Sequence, residues 1–155
     1  MKSMQTLARC STVAALALLF LAGPLPAAKD DIAKPTEYGV YVKTAKKLVR
    51  IIPNIVFDQD SLLYIESNNP AHFPLNDIRY FIVYGKFNTQ VMTVNNLLFV
   101  GQSPLGKIRF MFGKEVDVEV RKRGDNLYSV RPKGLFGRGY YAIWIEDSAW
   151  DFIVE

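Results

Sequence analysis

The chain has one histidine, His72, in the loop Asn68-Asn69-Pro70-Ala71-His72-Phe73-Pro74-Leu75-Asn76-Asp77. A Ser-His-Asp relay is formally open to it through Ser61, Ser67 or Ser103. None of these serines lies in a Gly-x-Ser-x-Gly turn, the strained elbow that presents a hydroxyl to a base, so an ordinary loop histidine is the simpler reading. A zinc site is worse supplied, because one imidazole without thiolates leaves only carboxylates to complete the shell. Glu115, Asp117 and Glu119 alternate at a strand spacing of about 6.8 Å between successive carboxylates, near the separation used by inverting glycosidases. Such a catalytic pair faces across a cleft and needs one buried member, whereas valines alternating behind these acids describe a solvated strand face. Asp58-Gln59-Asp60-Ser61 offers oxygens to calcium but lacks the glycine and distal glutamate of an EF-hand loop, and reads as a turn.

The remaining candidates are contact residues. Arg123-Gly124-Asp125 spells an adhesion tripeptide at an expected hairpin tip, although glycine and aspartate are also what a tight turn demands. Lys43, Lys46, Lys47 and Arg50 flank one turn and Arg121, Lys122 and Arg123 another; brought together they would form a surface for an anionic polymer or lipid headgroups. The 10 Phe, 8 Tyr and 2 Trp are the other resource. Tyr38, Tyr41, Tyr64, Trp144 and Trp150 could stack sugar rings, but a domain without disulfides needs most such side chains in its core. Tyr140, Ala142 and Trp144 share one strand face and Tyr141, Ile143 and Ile145 the other, so the face that looks inward decides between core and platform. The contact residues taken forward are Tyr141, Trp144, Trp150, Arg123 and Asp125. No catalytic residue, cofactor or metal ligand is assigned.

What must position these residues begins after a leader. Lys2 and Arg9, the apolar run from Val13 to Ala22, and the break at Gly23, Pro24 and Pro26 before Ala27 and Ala28 give residues 1–28 the form of a cleaved secretory signal. The apolar run is too short for a membrane span, which needs roughly 18 residues or more. Cys10, the single cysteine, precedes the apolar run, so it is not placed as a lipid-modified cysteine and leaves with the leader. Removing Lys2 and Arg9 from the 19 basic residues leaves 17 against 15 acidic ones, a net charge of about +2 that gives nucleic acid no special claim. The mature chain is thus expected in the periplasm or outside the cell, without thiol chemistry or disulfides and not membrane-spanning.

Residues 29–37 read as a flexible polar arm and 38–155 as one domain. Short β-branched and aromatic segments recur there between Gly, Pro, Asn and Asp, the all-β pattern. Strands are expected at 39–43, 47–52, 55–57, 62–66, 79–84, 90–94, 97–100, 108–112, 115–121, 127–131, 140–145 and 150–154. The run Tyr80-Phe81-Ile82-Val83-Tyr84 is apolar throughout and suits a central strand. Strict alternation in Glu115-Val116-Asp117-Val118-Glu119-Val120 predicts one half-buried strand, turning at Gly124-Asp125-Asn126 into Leu127-Tyr128-Ser129-Val130-Arg131. Ser129 and Arg131 would offset the acidic row.

Pro132-Lys133-Gly134-Leu135-Phe136-Gly137-Arg138-Gly139-Tyr140-Tyr141-Ala142-Ile143-Trp144 resembles the approach to the penultimate strand of immunoglobulin-like sandwiches. The resemblance implies a corner in which the hydroxyl of Tyr140 or Tyr141 bonds to upstream backbone, with Trp150-Asp151-Phe152-Ile153-Val154 as the closing strand. The chain departs from that pattern in having no inter-sheet cysteine pair and Gly137-Arg138 where Pro-Gly is common. The reading is an exported, immunoglobulin-like antiparallel β-sandwich that serves as a non-catalytic binding or envelope-accessory module. Its partner is a protein or an envelope component; a carbohydrate-binding sandwich is the alternative and a small hydrolase the third.

Overall fold

Segments of three to ten residues, rich in side chains that fill a pleated surface and punctuated by turn formers, give strands rather than helices. The computed structural model describes Ile32 and residues 34–155, and those residues form twelve strands and no helix. They are β1 (Gly39–Thr44), β2 (Leu48–Ile51), β3 (Pro53–Gln59), β4 (Leu62–Ser67), β5 (Ala71–Phe73), β6 (Ile78–Tyr84), β7 (Thr93–Gln102), β8 (Ile108–Glu115), β9 (Val118–Gly124), β10 (Leu127–Pro132), β11 (Gly139–Ile145) and β12 (Ser148–Val154). The leader expected at 1–28 lies outside the described residues, as do residues 29–31 and 33 of the expected arm. Among the described residues no helix is long and apolar enough to cross a membrane.

Five strands make an antiparallel sheet in the order β2-β1-β6-β10-β9, with the apolar β6 at its centre as expected. The other strands run β11-β7-β8-β4-β3-β12-β5, and β11 also pairs with β12 along its full length, so six of them close into a barrel. The expected all-β, antiparallel fold is present, and one of its two sheets forms a closed six-strand barrel, a feature that the immunoglobulin-like resemblance did not imply. Closure has local causes. β7 carries register shifts between Asn95 and Leu97 and between Phe99 and Gly101, and such bulges bend and twist a strand. On the edge away from β11, β12 pairs with β3 through residues 148–150 and with the short parallel β5 through residues 152–154.

Each barrel strand sends a side chain inward: Val56, Ile65, Leu97, Phe110 and Phe112, Ala142 and Trp144, and Ala149. The alanines on β11 and β12 leave room for the rings on β8, the small-against-large filling that a narrow barrel needs. The opposite faces of β11 and β12 supply Tyr141, Ile143, Ile145, Trp150, Phe152 and Val154 to a second core, where they meet Val40, Val42, Phe81, Val83 and Val130 of the five-stranded sheet. On that sheet's far side Tyr41, Ile82 and Leu127 form a smaller cluster, onto which Ile32 of the arm packs.

Three other expectations change. Residues 115–120 are not one strand: β8 ends at Glu115, opposite Asn95, and β9 begins at Val118 in the other sheet. The Val116 N–H donates to Val94 O at 2.7 Å and the Lys133 N–H to Asp117 O at 2.9 Å, which turns the chain between layers at a place where alternation alone reads as continuous. The segments expected at 90–94 and 97–100 become β7, because Asn95 is satisfied inside the ladder through the Gly113 carbonyl rather than in a turn. The histidine loop contains β5, too short and too closely flanked by prolines to announce itself. The β9–β10 hairpin forms with Asn126 at φ 55° in its turn, and Arg131 sits opposite Glu119 as anticipated.

The corner forms through Tyr141, whose hydroxyl donates to Gly137 O at 3.1 Å. Tyr41 repeats the device at the start of the other layer, donating to Glu37 O at 2.8 Å, with glycine two residues before the tyrosine in both cases, at φ 153° and 148°. A Cβ is strained at those angles, so glycine sets the bend and the tyrosine latches it. Tyr141→Phe should lower unfolding stability by about 1–2 kcal/mol, because it leaves a carbonyl in a part-buried corner without its donor. Tyr140→Phe should change it by less than about 0.5 kcal/mol. Equal shifts of the two urea midpoints would contradict this assignment.

Candidate functional site

The five residues singled out as contacts do not converge. Tyr141 and Trp150 are core: Tyr141 stacks on Phe152 at 5.7 Å, and the indole of Trp150, 4% exposed, meets Phe87 edge-on at 5.5 Å. Trp144 points into the barrel, stacked on Phe112 at 4.6 Å, and its Nε1–H donates to Glu146 O at 2.7 Å. Both faces of β11 are therefore inward faces, and the tryptophan platform that would receive a sugar is not assembled. Arg123 and Asp125 are exposed at the β9–β10 hairpin tip, with Arg123 Nε donating to Ser129 Oγ at 2.8 Å. The two basic clusters lie at opposite edges and opposite ends of the five-stranded sheet, because β2 and β9 are its outer strands and their turns point in opposite directions.

The catalytic candidates are equally dispersed. Glu115 is on the barrel, Glu119 on the five-stranded sheet opposite Arg131, and Asp117 between them. His72 is on β5 at the surface, its Nδ1 3.3 Å from Glu155. Asp60 and Ser61 occupy the β3–β4 turn with φ 52° and 67°, the plain turn that their composition suggested. No group of three or more potential metal-binding side chains occurs among the described residues.

Two constellations were not anticipated. The first is polar and buried. Asp151 projects from β12 into the barrel, 3% exposed, and accepts from Asn54 Nδ2 at 2.7 Å and from the Ser67 hydroxyl. Loss of water raises its pKa above the usual carboxylate range, while the Ser67 and Asn54 hydrogen bonds pull it back. A polar residue within an apolar run is the signal that could have found it, but its partners lie 84 and 97 residues away in sequence.

The second lies on the outer wall of the barrel. Strand register sets Phe57, Tyr64, Met111 and Leu98 side by side across β3, β4, β8 and β7. Phe57 stacks on Tyr64 at 5.2 Å, and the Arg109 guanidinium lies over the same tyrosine at 5.1 Å. Arg109 is held there by Nε and Nη2, which both donate to Glu66 Oε1 at 3.0 and 2.9 Å. Beside this row Tyr64 and Arg109 line a depression of about 390 Å³, with Leu62 and Val100 among its walls. Ile55, Leu62, Leu98 and Val100 remain exposed around it, Leu98 by 47% and Ile55 by 66%.

The buried carboxyl makes stability depend on pH. With its folded pKa raised, Asp151 holds its proton more tightly folded than unfolded. Its contribution is complete below the unfolded value of about 3.9 and is lost as pH rises through the folded value. Asp151→Asn, which keeps the shape and both partners, should remove that loss. The stability difference between wild type and variant should move against the wild type from acid toward neutral pH and then level off. A difference independent of pH, measured by urea unfolding, would show that burial does not perturb this group.

No protein-family model, no curated protein and no solved structure matches this chain.

Proposed function

We propose that the protein is an exported, non-catalytic recognition module that binds another protein, here an envelope component, through the outer wall of its barrel. The observation that carries this reading is the transverse row Phe57–Tyr64–Met111–Leu98, an apolar band in which Phe57 and Leu98 are 38% and 47% exposed while Tyr64 lies buried against Phe57 and Arg109. Its composition favours a protein partner. Aromatic side chains and arginine dominate the energetic centres of protein interfaces, and here Tyr64 and Arg109 are already fixed by stacking and by the Glu66 ion pair. A side chain that is held before binding loses less freedom on binding.

The open edges of the five-stranded sheet argue for the wall over strand addition. On β9, Glu119, Arg121, Lys122 and Arg123 place charge along the edge, which discourages another chain from pairing there. The wall carries Arg109 and Glu66 as a neutralised pair, so desolvating it costs less than desolvating either charge alone. Export rests on the leader, and the binding role rests on the wall.

The test is capture from native envelope fractions by the immobilised protein, beside a Leu62→Lys/Leu98→Lys variant and an Arg123→Ala/Asp125→Ala variant. The wall variant should lose the captured protein by tenfold or more, and the hairpin variant should retain it. Both should keep the wild-type melting temperature, since isolated surface changes cost about 0.5 kcal/mol or less. Undiminished capture by the wall variant would overturn the reading, as would transfer of the loss to the hairpin variant.

A further inference from the structure

One end of the barrel is incompletely walled. β7 runs from Thr93 to Gln102, but β11 accompanies it only across residues 93–96. At this end, between the start of β8, the start of β11 and the β5 segment, a cavity of about 370 Å³ opens to solvent. This volume falls within the range of about 300–1,000 Å³ typical of small-molecule sites.

Its lining combines apolar and polar groups. Phe110, Ile108 and Tyr140 are among the apolar ones; the Phe110 and Tyr140 rings lie 4.7 Å apart, inclined at 31°, and Tyr140 is 38% exposed. Lys107, His72 and Ser67 are among the polar ones. Lys107 takes part in no ion pair among the described residues. His72 meets Glu155 through Nδ1, which leaves Nε2 for a ligand. The Ser67 hydroxyl donates to buried Asp151, so its oxygen is held in the cavity lining with its proton already committed. These groups suit a ligand with an apolar body against the rings and one anionic head at Lys107. A single lysine without an arginine fork favours a singly charged carboxylate over a phosphate, which recruits more donors.

We propose that the open end of the barrel is a binding site for a small amphipathic carboxylate, its apolar body on Tyr140 and Phe110 and its head between Lys107 and His72. This site is inside the barrel mouth and independent of the outer wall.

The experiment titrates the full chain with 3-phenylpropionate and with its neutral counterpart 3-phenylpropan-1-ol, following backbone amide shifts by NMR. The carboxylate should give saturable shifts at Ser67, Lys107 and Tyr140 and bind about tenfold more tightly than the alcohol, as one charge-assisted hydrogen bond predicts. Lys107→Met should abolish that preference without weakening the alcohol. Tyr140→Ala should weaken both ligands by about tenfold, the loss of one aromatic contact surface. Both side chains are outside the two cores, and unchanged melting temperatures verify that the variants are folded. Absence of saturable shifts at millimolar carboxylate would overturn the proposal. Equal affinity of acid and alcohol for the wild type would also overturn it, as would an equal loss of both in Lys107→Met.

Discussion

The β11–β12 ribbon must bury both of its faces, and the rest of the architecture follows from that constraint. A strand with one apolar face is satisfied by a single opposing layer. Here Tyr141, Ile143 and Ile145 on one face, and Ala142 and Trp144 on the other, all require cover. The five-stranded sheet covers the first face. The second is covered by the barrel curling round to pair again with the same ribbon. At about 25 cal/mol per Å² of apolar surface removed from water, one large side chain contributes about 1.5–3 kcal/mol, so a ribbon carrying apolar groups on both sides is a strong organiser.

That geometry also explains the polar residue inside. Asp151 follows Trp150 and precedes Phe152 on β12, and strand alternation sends it into the barrel. It is retained there because β3 and β4, wrapped round the same interior, supply Asn54 and Ser67 as donors. An unpartnered carboxyl at that depth would cost several kcal/mol. Packing and hydrogen bonding are thus coupled, since the strands that close the barrel also satisfy its one buried acid among the described residues. The inner and outer faces of the same four strands then do different things. The inner face fills and satisfies the interior, and the outer face leaves an apolar row with Arg109 pinned over Tyr64.

Much of the strand content was legible from the chain, because alternation, β-branching and turn residues act over a few neighbours. The Asp125-Asn126 hairpin, the central β6 and the tyrosine corner are local features of that kind. What escaped were relations between distant segments. The alternation through 115–120 is genuine, yet its two halves belong to different layers, because hydrogen bonds from Val116 and Lys133 to remote carbonyls redirect the chain. Trp150 was weighed as a ligand platform and is core, because the sheet that covers it lies elsewhere in sequence.

The sequence by itself determined an all-β chain with Cys10 as its single cysteine, and its local turn residues pointed to a tyrosine corner at Tyr140 or Tyr141. Each depends on composition or on residues within one turn of one another. Only the tertiary structure decided that the second layer closes into a barrel, that Asp151 meets Ser67 and Asn54, and that Phe57, Tyr64, Met111 and Leu98 form one row. These depend on strand order and register, which are set by which faces can be buried together. That is a property of the whole assembly of strands, and no single segment carries it.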